Sequence, residues 1–259
     1  MQLSLDRDLS PGEQTLPLLP GSSAAVDSDA NLDALQLFEV LWRTAHFQCQ
    51  DPRDKWYASL FLLPSPIPAP VRPDYNRSLA DVYSHLAWYL IANNISGALQ
   101  LAQGMNADST MPSWVVDWRS LPRDVQLAKR SEQVKWFAGF PDGHRRVYAR
   151  RSEKLLVLRG LLVDTVKCCW GSRNTGMRFV TQQGLHGQAI GGVDAGDLVC
   201  IFLGSRAPFL MKPQRENRSQ LMGECVVDGV MHGEAVTDLD WASVEEEKPV
   251  SPLQDFSIV

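Results

Sequence analysis

Apolar residues recur at steps of three and four in two stretches early in the chain. Leu35, Phe38, Leu41, Trp42 and Ala45 form one stripe; Leu79, Val82, Tyr83, Leu86 and Tyr89 or Leu90 form the other. That period predicts two amphipathic helices. Asp29 or Asn31 can cap the first. Between them, Asp51-Pro52-Arg53-Asp54 opens a shorter helix carrying Trp56, Tyr57, Leu60 and Leu63. Asp51 suits an N-cap, Pro52 loses nothing at the first helical position, and Asp54 faces the positive end of the dipole. The alternating prolines from Pro64 to Pro70 end it. Ser78 with Asp81 three residues on is a capping-box-like start for the later helix, and Asn93-Asn94 a stop. A short helix over Ile95–Gln103 follows, closed by Gly104. Residues 105–146 read as an irregular, Trp-rich connector with a helix around Arg123–Phe137.

From about Val147 the pattern changes. Lys154–Lys167, Met177–Thr181, Leu198–Leu203, Phe209–Lys212 and Leu221–Val227 are short apolar runs separated by glycines. Such spacing predicts an antiparallel sheet or a partly closed barrel. Leu198–Leu203 is apolar on both faces, which predicts a central strand covered on both sides. The expected fold class is α+β: a helical N-terminal half packed on a C-terminal β-rich module. The expected division is a lead-in over 1–28, helices over 29–104, the connector, the β-rich module over 147–238 and a loose acidic tail over 239–259, where Glu245-Glu246-Glu247 stands near two prolines.

Composition narrows the function. Hydrophobic residues make up 44% of the 259 and charged ones 21%, enough to build a core. A formal net charge of −5 argues against a uniformly basic nucleic-acid binder. No apolar run reaches the roughly 18–20 residues that span a bilayer, and the opening residues carry acids early without an apolar stretch. Five cysteines with no C-x-x-C pair argue for reduced thiols. The expected compartment is cytoplasmic, with no membrane or nucleic acid as partner.

Candidate chemistry is sparse. His46 and Cys49 stand three apart in a helical reading, but no second pair joins them, so no metal is expected. His232 and Glu234 flank Gly233 and offer an acid/base pair. There is no G-x-S-x-G elbow and no P-loop. Gly184–Gly192 is glycine-rich and reads as a turn joining strands. His144-Arg145-Arg146 with Arg150-Arg151 makes a basic cluster that suits an exposed strand edge. Trp114 and Trp118, with Asp117 beside them to hold backbone or indole N–H groups, suit structural anchoring.

Several of these pieces resemble, in order, segments of fungal heterokaryon-incompatibility (HET) proteins. Asp51–Leu60 resembles "pRDkiYALLGL". Pro73-Asp74-Tyr75 with Asp81-Val82-Tyr83 resembles "DYs…evY". Pro112–Trp118 resembles "PSWVPDWS", with Val116 where the family usually has Pro. Gly196-Asp197-Leu198-Val199-Cys200, Pro208–Met211 and Gly223-Glu224-Cys225 resemble "GD.v.vl.G…PfvLR…lvGe.Y", and Gly229–Ala235 resembles "HGiMdGEa". Each motif alone is weak; together and in order they are specific. The segments "YxALSYxWG" and "WIDaiCINQ" of the HET domain, which is similar in fold to TIR domains, do not occur. The resemblance therefore covers the region that follows that domain, and its cell-death and nucleotide-cleaving roles are not carried over.

The resemblance implies a non-catalytic accessory or regulatory chain that contacts a protein partner in non-self recognition, with no cofactor. Two alternatives stand beside it: a small enzyme or ligand-binding β-module using His232 and Glu234, and a truncated fragment without independent function. The residues expected to matter for structure or interaction are Asp51, Arg53, Asp54, Tyr57, Trp114, Asp117, Trp118, Gly196, Asp197, His232 and Glu234.

Overall fold

The structure is a computed structural model, and it describes residues 29–62, 72–102, 110–119, 136–140, 146–152, 155–172, 176–189 and 191–259. The helix expected around Arg123–Phe137 and the lead-in over 1–28 lie outside these residues, apart from the last two positions of the former.

Both periodic stretches are helical. They form α1 (Asp29–Thr44) and α3 (Leu79–Ala92), with α2 (Asp54–Leu60) between them and α4 (Gly97–Leu101) after. Ser78 caps α3 as its sequence foretold, its hydroxyl accepting from the Asp81 amide at 3.2 Å. Asn93 ends the helix, and Asn94 then takes φ +62°, a left-handed position that asparagine tolerates. Asp51 accepts from the Arg53 amide at 2.9 Å, so it caps the turn that leads into α2.

Eight strands follow: β1 (Ala149–Ser152), β2 (Leu155–Ser172), β3 (Gly176–Thr181), β4 (His186–Ala189), β5 (Leu198–Phe202), β6 (Phe209–Pro213), β7 (Arg218–Val227) and β8 (Gln254–Ile258). A further helix, α5 (Trp241–Glu245), precedes β8. Antiparallel pairings run β2–β3–β4–β7–β6–β5 and return from β5 to β2, closing a six-stranded ring. Closure removes the open edges that would invite aggregation. β2 is long enough to serve twice. Its N-terminal part pairs with β1 and β8, its middle with β5, and its end with β3.

Two hydrophobic cores share this sheet. Every strand of the ring sends apolar side chains inward: Leu161 and Val166 from β2, Phe179 from β3, Ala189 from β4, Val199 and Ile201 from β5, Leu210 from β6, and Cys225 and Val227 from β7. The opposite face carries Leu156, Leu158, Cys200, Phe202, Phe209, Met211 and Leu221 into one cluster with Leu37, Phe38, Leu41, Tyr83, Leu86 and Leu90 of the helices. The alternation along β5 shows why its sequence is apolar on both faces: one face fills the barrel and the other meets the helices.

Two expectations need correction. The tail over 239–259 is not loose. β8 pairs antiparallel with β2 and parallel with β7, and Phe256 and Ile258 enter the helix-facing core. Glu245-Glu246-Glu247 and the prolines masked the period-two signal of Gln254–Ile258. The glycine-rich stretch after Gly184 is not only a turn, because β4 lies within it. Gly187 is needed there: a Cβ would meet the Phe179 ring at 2.2 Å.

Candidate functional site

The resemblance residues fall into four groups. The first ties α2 to the segment that leads into α3. Arg53 grips Asp51 through Nε and Nη2, at 3.0 and 2.7 Å. Its Nη1 donates to the carbonyls of Tyr75 and Arg77 at 2.7 and 3.0 Å. The guanidinium also lies over the Tyr75 ring, 5.2 Å from its centroid. The five donors of a planar guanidinium let it take a carboxylate with two of its nitrogens and still hold two carbonyls. The Arg53 hydrogen bonds hold the Asp51 carboxyl below its ordinary range. Tyr57 donates to the Asp74 carbonyl at 2.9 Å, and Tyr83 to the Pro52 carbonyl at 2.7 Å. Tyr75 donates to Asp54, and that bond pushes the phenol up to about 12. The motif residues around Arg53 and those around Tyr75 are thus two halves of one polar knot.

The second group is the Trp segment. Trp114 and Trp118 are buried in the helix-facing core, and Phe38 of α1 meets Trp118 edge-on with centroids 6.4 Å apart. Arg151 of β1 lies over the Trp114 ring at 5.7 Å. Asp117 accepts from the Arg119 amide at 3.0 Å and from its guanidinium at 2.9 and 2.8 Å. Ser113, which the sequence reading did not single out, accepts from the Leu221 amide of β7 at 2.9 Å.

The third group joins β2 to β5. Gly196 donates to the Val166 carbonyl at 2.9 Å, and Val166 donates to the Asp197 carbonyl at 2.8 Å. The Asp197 carboxylate accepts from the Asp194 amide at 2.8 Å. Gly196 has φ +95°, which only glycine adopts without strain.

His232 and Glu234 make the fourth group, on an exposed turn. Glu234 accepts from the His232 amide at 2.7 Å, while its other oxygen stands 3.7 Å from the imidazole Nδ1. The imidazole meets the Phe137 ring edge-on, at 5.6 Å between centroids.

Other candidates change position or meaning. α1 stops at Thr44, so His46 and Cys49 lie beyond the helix. Lys55 donates to the Ala45 and Phe47 carbonyls at 2.5 and 2.7 Å and holds the chain in its new direction. No cluster of three metal-ligating side chains occurs among the described residues. Of the basic cluster, His144 and Arg145 lie outside the described residues, whereas Arg146 and Arg150, with Arg159 of β2, meet the C-terminal segment. Arg146 pairs with Glu247 at 3.1 Å, Arg150 with Asp255, and Arg159 donates to the Lys248 carbonyl. No helix among the described residues is long and apolar enough to cross a membrane.

A closed antiparallel barrel with helices packed on one outer face defines the class of this α+β protein. The family model of the Het-6 beta-barrel domain matches residues 167–241, a span that runs from the end of β2 to the start of α5. The match lies on the barrel strands and agrees with the resemblance of the sequence to fungal HET proteins. Neither the curated proteins nor the solved structures yield a match.

Proposed function

We propose that this chain is a non-catalytic accessory or regulatory protein of the HET-like kind, contacting another protein in non-self recognition. The observation that carries the reading is where apolar side chains are exposed. Phe47, Phe61, Leu62 and Tyr75 are each more than half exposed, and all four belong to the α1–α3 region. Exposed large apolar groups of this kind suit a protein contact. The motif residues support it from the other side: Arg53 and Tyr57 hold the segment that carries Tyr75 against α2.

The test is co-expression with a full-length HET protein in a fungal host, scored for incompatibility and for cross-linked complexes. A complex that weakens in Phe61→Ser with Leu62→Ser, at unchanged melting temperature, supports the reading. Incubation with NAD and a panel of esters and phosphates probes the opposite case. Turnover that vanishes in His232→Ala or Glu234→Ala would replace this reading with an enzyme.

A further inference from the structure

Glu224 sits in β7 opposite Phe209 of β6, and Phe209 sits opposite Cys200 of β5. Side chains opposite each other on paired strands share a face. Cys200 and Phe209 belong to the helix-facing core, so this row places Glu224 between the sheet and the helical layer. Both of its carboxyl oxygens are buried and have no hydrogen-bond partner. On the helical side, α4 packs against β7, and the amide group of its Gln100 is likewise buried without a partner.

A lone carboxylate in such a place is costly, because nothing replaces the water it leaves. The neighbouring titratable groups do not help it. Cys200 and Cys225 are buried thiols whose own ionisation burial disfavours. α4 carries no ionisable side chain. Lys212 of β6 pairs with Asp194, Asp255 of β8 with Arg150, and His186 of β4 is exposed. Arg218, at the start of β7, pairs with Glu216.

We propose that Glu224 is a proton-dependent latch: its neutral carboxyl keeps the helical layer docked on the barrel, and its ionisation loosens one from the other. The inference is independent of the proposed partner. Burial pushes the Glu224 carboxyl up from 4.5 to about 8. Between those values the unfolded chain has released the proton and the folded chain still holds it. Stability therefore falls as pH rises through that window and levels off above it.

Two measurements test the latch. In the wild-type protein labelled with carbon-13 at glutamate carboxyls, one resonance should titrate near neutral or alkaline pH. If every glutamate titrates in the ordinary acid range, the proposal is overturned, whatever a variant does. Glu224→Gln keeps the shape without the charge. Its melting temperature relative to wild type should rise as pH is raised from about 5 to about 8 and then stay level; a difference that does not vary with pH overturns the idea. Amide exchange, corrected for intrinsic rate, should show α3 and α4 losing protection at alkaline pH in wild type and not in Glu224→Gln. Equal loss in both proteins, or loss in the barrel strands alone, would mean that ionisation does not act on the junction.

Discussion

Ser113 reaches Val259 across 146 positions of sequence. The Ser113 amide donates to the Val259 main-chain oxygen at 2.9 Å, and its hydroxyl donates to the same oxygen. The hydroxyl oxygen meanwhile accepts from the Leu221 amide, and the Val259 amide donates to the Ser219 carbonyl at 3.0 Å. One small side chain thus joins the Trp segment, the start of β7 and the end of β8. Ser113→Ala removes the acceptor of a buried N–H. That loss costs about 1–3 kcal/mol. A urea titration should show the midpoint falling with little change in slope. An unchanged midpoint would mean that another group takes over the Leu221 amide.

Trp118 is predicted to be an anchor of the helical layer. It is 2% exposed and meets Phe38 of α1. Truncating a buried Trp costs about 3–5 kcal/mol, a large share of the roughly 5–15 kcal/mol that a domain has. Trp118→Ala should lower the thermal midpoint strongly, with loss of signal from α1 and α3. A midpoint within a degree of wild type would sink the anchor reading.

Gly187→Ala tests the one place where β4 needs a missing side chain. The new methyl group would sit inside contact distance of the Phe179 ring, which is fully buried. Overpacking of this kind costs about 1–3 kcal/mol. Calorimetry should find a lower midpoint, and a second change, Phe179→Leu, should recover part of it. No recovery would place the strain in the backbone rather than at the ring.

A fragment of residues 147–259 is expected to aggregate or bind hydrophobic dye. Without the helices, Leu156, Leu158, Phe202, Phe209, Met211 and Leu221 lose their cover. The stable unit is expected to run from about residue 30 to 259, because an end at 240 would remove β8 and the cover it gives β2. Light scattering and dye fluorescence on both pieces check this. A soluble, sharply melting 147–259 fragment would show that barrel and helices are separate folding units.

Local rules decide the helices and most of the strands, so these were legible in the sequence. Helical period, the Ser78 cap and the apolar runs depend on neighbours a few residues away. The doubly apolar Leu198–Leu203 run also announced that something must cover both faces of β5. The family motifs could be read as motifs, but not as bonds: nothing local says that Arg53 holds the carbonyl of Arg77, or that Ser113 meets Val259. β4 and β8 were hidden for the same reason. Gly187 is required only because Phe179 lies over it, and Phe256 is buried only because β2 and the helices receive it. The buried state of Glu224 belongs to this second kind. A Gly-Glu-Cys step in a strand is neutral about exposure, and only the closing of the ring with helices laid on one face removes water from that carboxyl.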